Sequence, residues 1–119
     1  MKVHRGDIVL VAFPFSDGSS QKIRPALVVQ NDRNNERLQD TIVALITSTT
    51  ERAGREPTQL LIDISTPPGR ESGLLHSSAI KCENLFTLQA NVIVRKLGHL
   101  APASMEQVDR CLKSSLGIA

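Results

Sequence analysis

The hydrophobic and polar positions of the chain are arranged in short apolar runs separated by polar breaks. Ile8, Val9, Leu10, Val11, Ala12 and Phe13 form the first run, which stops at Pro14. A β-branched run of this length reads as a strand with both faces buried. The segment Phe15 to Lys22 contains Ser16, Asp17, Gly18, Ser19 and Ser20 and reads as a polar loop. Arg24-Pro25 follows, then Ala26, Leu27, Val28 and Val29; proline is tolerated as a first strand residue, so a second strand is expected from Pro25. Asn31 to Gln39 is a polar connection. A third strand is expected over Thr41 to Thr47 and a fourth over Gln59 to Ile64, with a break at Thr66, Pro67, Pro68 and Gly69. Shorter strands fit Ser78 to Cys82 and Val92 to Lys96.

Only the C-terminus changes period. Met105, Val108, Leu112 and Leu116 recur at intervals of three and four, which places them on one face of a helix expected over Pro102 to Leu116. Pro102 suits the first turn and Gly117 the end. The opposite face carries Glu106, Gln107, Asp109, Arg110 and Lys113, so this helix should dock on a β body by one stripe. Short strands at close intervals with one terminal helix describe a mainly β fold, a small antiparallel barrel or curled sheet.

Composition limits what such a fold can do. At 119 residues the chain is the size of one domain, spanning residues 1–119. There are 14 Lys+Arg against 12 Asp+Glu, a net charge of +2, and the aromatic residues are three Phe with no Tyr or Trp. A protein that coats single-stranded nucleic acid by stacking bases on ring after ring needs more of both. The numbers leave room for a small catalytic or docking site. Neither an apolar leader nor a membrane-spanning run is visible, and Cys82 and Cys111 are far apart with no ligand-like spacing, so both are read as thiols of a cytoplasmic protein with no metal site.

Phosphate loops, His-Glu-x-x-His and Gly-x-Ser-x-Gly motifs are missing from the sequence. The candidates are polar residues at strand ends, where a β scaffold holds side chains beside loops. Arg24 is one. The proline after it favours extended backbone, and a guanidinium launched from a fixed base is a fork suited to phosphate or carboxylate; the plainer reading is a salt bridge to Asp17 or Asp32. Thr47 ends an apolar run and has a hydroxyl to donate, though Thr also simply favours strands. Lys81 and Glu83, two apart, would share a face of a strand as a cation and a carboxylate, or form a solvated surface pair. His4, His76 and His99 are scattered and read as surface or boundary residues.

The order Arg5-Gly6-Asp7-Ile8-Val9-Leu10-Val11, Gly18-Ser19-Ser20-Gln21 and Arg24-Pro25-Ala26-Leu27-Val28-Val29 resembles the MazF/PemK/Kid toxins of bacterial toxin-antitoxin modules. Val43-Ala44-Leu45-Ile46-Thr47-Ser48 is similar to the third-strand segment of that family, and Lys81-Cys82-Glu83-Asn84-Leu85-Phe86-Thr87 to a stretch of its Kid-like members. Leu97-Gly98-His99-Leu100 and the terminal helix complete a collinear likeness over essentially the whole chain.

The resemblance implies an SH3-like β-barrel with a C-terminal helix, a homodimer, and a cognate antitoxin as partner. It further implies metal-independent, cofactor-free, sequence-selective cleavage of single-stranded RNA by 2′-OH attack, leaving a 2′,3′-cyclic phosphate and a 5′-OH. By matching position, Arg24 takes the role of the catalytic Arg and Thr47 that of the phosphate-binding Thr, while Lys81 and Glu83 correspond to the acid and base of the Kid-like variant. RNA contacts are expected from Phe15, Ser19, Ser20, Gln21 and Phe86, with the segments Phe15 to Lys22 and Asn31 to Gln39 selecting the substrate. Two departures from the family pattern stand out: Ser20 stands where a Glu is common, with Ser19 where a His sometimes precedes it, and Phe86 stands where an Arg precedes the final Thr. Two other readings of the same fold are a CcdB-like gyrase-binding toxin and an inactive protein that keeps only its antitoxin contacts.

Overall fold

The computed structural model describes residues 2–13 and 22–119. The chain is mainly β with helices between and after the strands: β1 (Asp7–Phe13), β2 (Lys22–Val28), α1 (Asp32–Arg37), β3 (Asp40–Thr47), β4 (Gln59–Ile62), α2 (Pro67–Glu71), β5 (Ser78–Gln89), β6 (Ile93–His99) and α3 (Pro102–Leu116). The six strands form one sheet in the order β4-β5-β3-β2-β1-β6, and every pairing is antiparallel. Its outer strands β4 and β6 are not neighbours, so the sheet stays open.

Strand alternation splits the apolar side chains between two cores. Ile8, Leu27, Ala44, Ile46 and Ile80 pack on one side with Val108 and Cys111 of α3. Val9, Val11, Phe13, Ala26, Val28, Val43 and Ile93 pack together in the second cluster. The central strands are therefore apolar at consecutive positions, as the runs beginning at Ile8 and Ile42 lead one to expect. Helix α3 has the bounds read from its periodicity, with Pro102 in its first turn and Gly117 as a left-handed cap at φ 71°.

The larger departures from the expected boundaries fall on four strands. β2 starts at Lys22, three residues before Pro25. Proline fits inside it because β3 pairs with β2 only over Ala26, Leu27 and Val28, leaving Pro25 bonded into the ladder with β1 alone. β4 ends at Ile62, short of Ile64, and Asp63 begins the turn that follows. β5 runs on to Gln89 because the chain bulges between Lys81 and Leu85 and then resumes pairing with β3. β6 extends from Ile93 to His99.

Two helices were not expected. Asn31 caps α1 by accepting from the Asn34 N–H at 2.8 Å, and Thr66 caps α2 in the same way from Gly69. α2 carries its prolines at the first positions, where the absent N–H costs nothing.

Candidate active site

β2 and β3 part company at one end of the sheet, and the site lies where they separate. Their last rung is Ala26↔Leu45, and continuing that register sets Pro25 against Ile46 and Arg24 against Thr47. Pro25 has no N–H to extend the ladder, and the gap opens beside it. A groove of about 650 Å³ fills this region, with Leu10, Pro25, Ile46, Leu74 and Leu97 among its apolar walls and Arg24, Thr47, Ser48, Thr49, His76, Ser78 and Arg95 among its polar ones.

The groove brings Arg24 and Thr47 together. Arg24 is exposed, and among the described residues its guanidinium has neither an ion pair nor a hydrogen bond; Asp32, a candidate partner from sequence, instead accepts from the Arg5 N–H at 2.7 Å. Asp17, the other candidate, is outside the described residues. Thr47 Oγ1 accepts from the Thr49 N–H at 3.2 Å, which fixes the hydroxyl and leaves its own proton to donate. The described lining contains no Asp or Glu, so an anion there meets the guanidinium groups of Arg24 and Arg95 and the hydroxyl donors without a carboxylate to repel it.

The facing wall comes from the segment between α2 and β5. Gly73, at φ 76°, turns the chain against Leu97 of β6. Ser77 Oγ accepts from the Ile64 N–H, and Ser78 Oγ donates to the His76 carbonyl at 2.8 Å. His76 is exposed on this pinned segment. Sequence reading left His76 among the surface residues and did not single out Arg95; neither lies in a motif, and only the pairing of β6 with β1 carries Arg95 to the groove.

Lys81 and Glu83 are not part of this lining. Ile80 and Cys82 pack in the same core cluster, which leaves Lys81 and Glu83 together on the other face of β5, outside the groove lining. Glu83 instead accepts from Thr58 Oγ1 at 3.0 Å and Gln59 Nε2 at 2.7 Å. Partial burial pushes its pKa up, but the hydrogen bonds from Gln59, its own backbone and Thr58, with the attraction of Lys81, prevail and leave it below the ordinary carboxylate value. A general base poised near neutrality needs the opposite shift, so the expected role of Glu83 as base rests on the resemblance alone.

Phe86 is also outside the lining; it meets Phe13 edge-on, with ring centroids 5.2 Å apart. The expected substrate-selecting segment Asn31 to Gln39 is largely α1 and does not reach the groove. Phe15, Ser19, Ser20 and Gln21 lie outside the described residues. Among the described residues no cluster of His, Cys, Asp or Glu is arranged to hold a metal ion.

A small β sheet flanked by a terminal helix presents, in one groove, an arginine without a partner among the described residues and a hydroxyl with a proton to donate, an arrangement suited to an anion. Residues 4–116 match the family described as the PemK-like, MazF-like toxin of type II toxin-antitoxin systems, and the chain belongs to that family. It is 34% identical over 119 residues to endoribonuclease EndoA of Bacillus subtilis, covering 99% of this chain and 97% of that protein. With endoribonuclease MazF of Staphylococcus saprophyticus it shares 33% identity over 117 residues, covering 98% and 92%. A solved endoribonuclease in complex with its cognate antitoxin, from a mycobacterial species, superposes with a TM-score of 0.76 at 22% identity, covering 98% of this chain and 97% of that one. MazF in the MazE-MazF structure from Deinococcus radiodurans gives 0.75 at 18% identity over the full length of both chains. These two likenesses are of fold.

Proposed function

We propose that this toxin is an endoribonuclease that cuts single-stranded RNA in the groove between β2 and β3. The convergence of Arg24 and Thr47 on one groove, whose described lining holds no Asp or Glu, is the observation that carries the reading. The 2′-oxygen attacks the adjacent phosphorus while the bond from phosphorus to O5′ breaks, giving a 2′,3′-cyclic phosphate and a 5′-OH. Arg24 stays protonated throughout and stabilises the charge that accumulates on the phosphate oxygens, and the Thr47 hydroxyl donates to one of them. Each turnover passes one proton from the 2′-oxygen to solvent water and places one on O5′. His76 brings the imidazole among the described lining residues, and we assign it the proton delivered to O5′, which it regains from solvent.

The chemistry asks for no metal or cofactor. Base selection falls to the segment carrying Phe15, Ser19, Ser20 and Gln21, which precedes Arg24 directly in the chain. The inhibiting antitoxin presents an acidic segment to the same cations, a second copy of the chain completes a homodimer, and the toxin acts in the cytoplasm on cellular RNA. No helix of the described residues is long and apolar enough to cross a membrane.

Incubation of the purified protein with a long RNA in EDTA tests the reading. Wild type should cut and leave 2′,3′-cyclic phosphate ends, and Arg24→Ala should not. Intact RNA with wild type, or equal cutting by both, would overturn it.

A further inference from the structure

The groove holds a second arginine that the cleavage step does not use. Arg95 is opposite Leu10 in the ladder between β6 and β1, and Leu10 is opposite Pro25 in the ladder between β1 and β2. Residues opposite one another in antiparallel strands share a face, so Pro25, Leu10 and Arg95 form one row across three strands, with Arg24 next to its far end. All four line the groove. With neighbouring strands about 4.8 Å apart, the β2 and β6 ends of the row are separated by roughly 10 Å. Both arginines line the groove, with the apolar residues Leu10 and Pro25 between them along the strands.

Arg95 is exposed and, like Arg24, has neither an ion pair nor a hydrogen bond among the described residues. Its neighbour Lys96 is engaged, with Nζ 3.1 Å from Asp7 Oδ1, and Arg5 is 2.6 Å from Asp109 Oδ1. The strand neighbour is thus committed to the fold, while the arginine facing the groove is not. An unpaired guanidinium beside an apolar floor and a second unpaired guanidinium fits a polyanion whose charges alternate with flat, weakly polar groups.

We propose that Arg95 forms a second phosphate subsite, holding the RNA backbone phosphate next to the one cleaved, with the intervening nucleotide over Leu10 and Pro25. The inference rests on the RNA-cutting reading of the groove and extends it from one phosphate to two. Arg95 acts by binding, so its loss weakens affinity at every substrate sequence and leaves the chemical step alone.

The test separates binding from cutting by using a fully 2′-O-methylated RNA oligonucleotide, which cannot be cleaved. Fluorescence anisotropy of this oligonucleotide is measured across salt concentrations with wild type, Arg95→Gln and Arg95→Lys. Arg95→Gln should raise Kd about tenfold and make the plot of log K against log salt shallower by about 0.7, the loss of one phosphate contact on a single strand. Arg95→Lys should recover the wild-type slope, since it keeps the charge. With cleavable RNA, Arg95→Gln should raise KM and hold kcat within about twofold. An unchanged Kd and slope in Arg95→Gln, with the thermal transition intact, would overturn the subsite, as would failure of wild type to bind the oligonucleotide. Failure of wild type to cut RNA while the slope still changes would overturn the cleavage reading and leave the subsite standing.

Discussion

Arg24 and Thr47 line one groove, each two positions past Ala26↔Leu45, the last rung that joins β2 to β3. The pair is held in register by the sheet and freed from it by Pro25, so both side chains keep strand rigidity without being consumed by strand pairing. Arg24→Ala should lower kcat by at least about a hundredfold, because it removes the charge that meets the transition state. Thr47→Val keeps the shape and removes one donor, and a loss of about tenfold in kcat/KM is expected. Arg24 is exposed and unpartnered among the described residues, so Arg24→Ala should shift Tm by no more than about 3 °C. A parallel fall in Tm and activity would instead mean that Arg24 holds the fold.

Glu83 should behave as a structural carboxylate. Its pKa is below the ordinary value of 4.5 because hydrogen bonding outweighs burial, so the stability it contributes is complete above that value and fades as pH drops through the folded-state pKa. Thermal melts of wild type and Glu83→Gln should therefore differ at neutral pH, with wild type higher, and converge as the pH falls well below the ordinary carboxylate value. Cleavage by Glu83→Gln should stay within about threefold of wild type. A hundredfold loss of kcat at unchanged Tm would restore Glu83 to the reaction.

Much of the architecture was legible because the central strands are apolar at consecutive positions and α3 repeats at three and four. The helices α1 and α2 were missed although Asn31 and Thr66 are good caps, since such short helices leave no periodic stripe to read. For the site, Arg24 and Thr47 could be singled out as strand-end residues, whereas the bulge after Lys81 is a tertiary feature that spacing does not encode. Nor does spacing show that Glu83 is engaged by Thr58 and Gln59, outside the groove lining. Arg95 and His76 reach the groove through strand order and a loop crossing, which no local pattern announces.

Gly73 controls how that loop meets the sheet. It adopts φ 76°, and a Cβ there would run into the Leu97 carbonyl on β6. Gly73→Ala combines a strained backbone with a clash against main chain, so a loss of at least about 2 kcal/mol is expected, roughly 10 °C in Tm. Because the same loop carries His76, cleavage measured well below the lowered Tm should also fall. A Gly73→Ala variant with wild-type Tm would contradict the close approach.

The cysteines should be quiet in the native state. Burial pushes the Cys82 thiol up to about 12, and burial likewise raises Cys111. Titration with Ellman's reagent at pH 8 should proceed slowly in buffer and release two thiols at once in denaturant. Rapid reaction of the folded protein would show that α3 lifts from the sheet, because Cys111 lies on that helix.

His76 is the residue on which the proton transfer is staked. Removing a general acid costs about a hundredfold or more in rate with little change in substrate binding, so His76→Gln should lower kcat by that order and leave KM nearly unchanged. The same result could follow from a displaced loop, and the leaving group resolves the two. An RNA with sulfur in place of O5′ at the cleaved bond departs as a thiolate and needs no proton. On that substrate His76→Gln should cut at close to the wild-type rate, whereas Arg24→Ala should remain impaired because phosphate charge still has to be stabilised. If the sulfur substrate leaves the His76→Gln defect as large as before, His76 does not protonate the leaving oxygen, and its place in the groove is one of position alone.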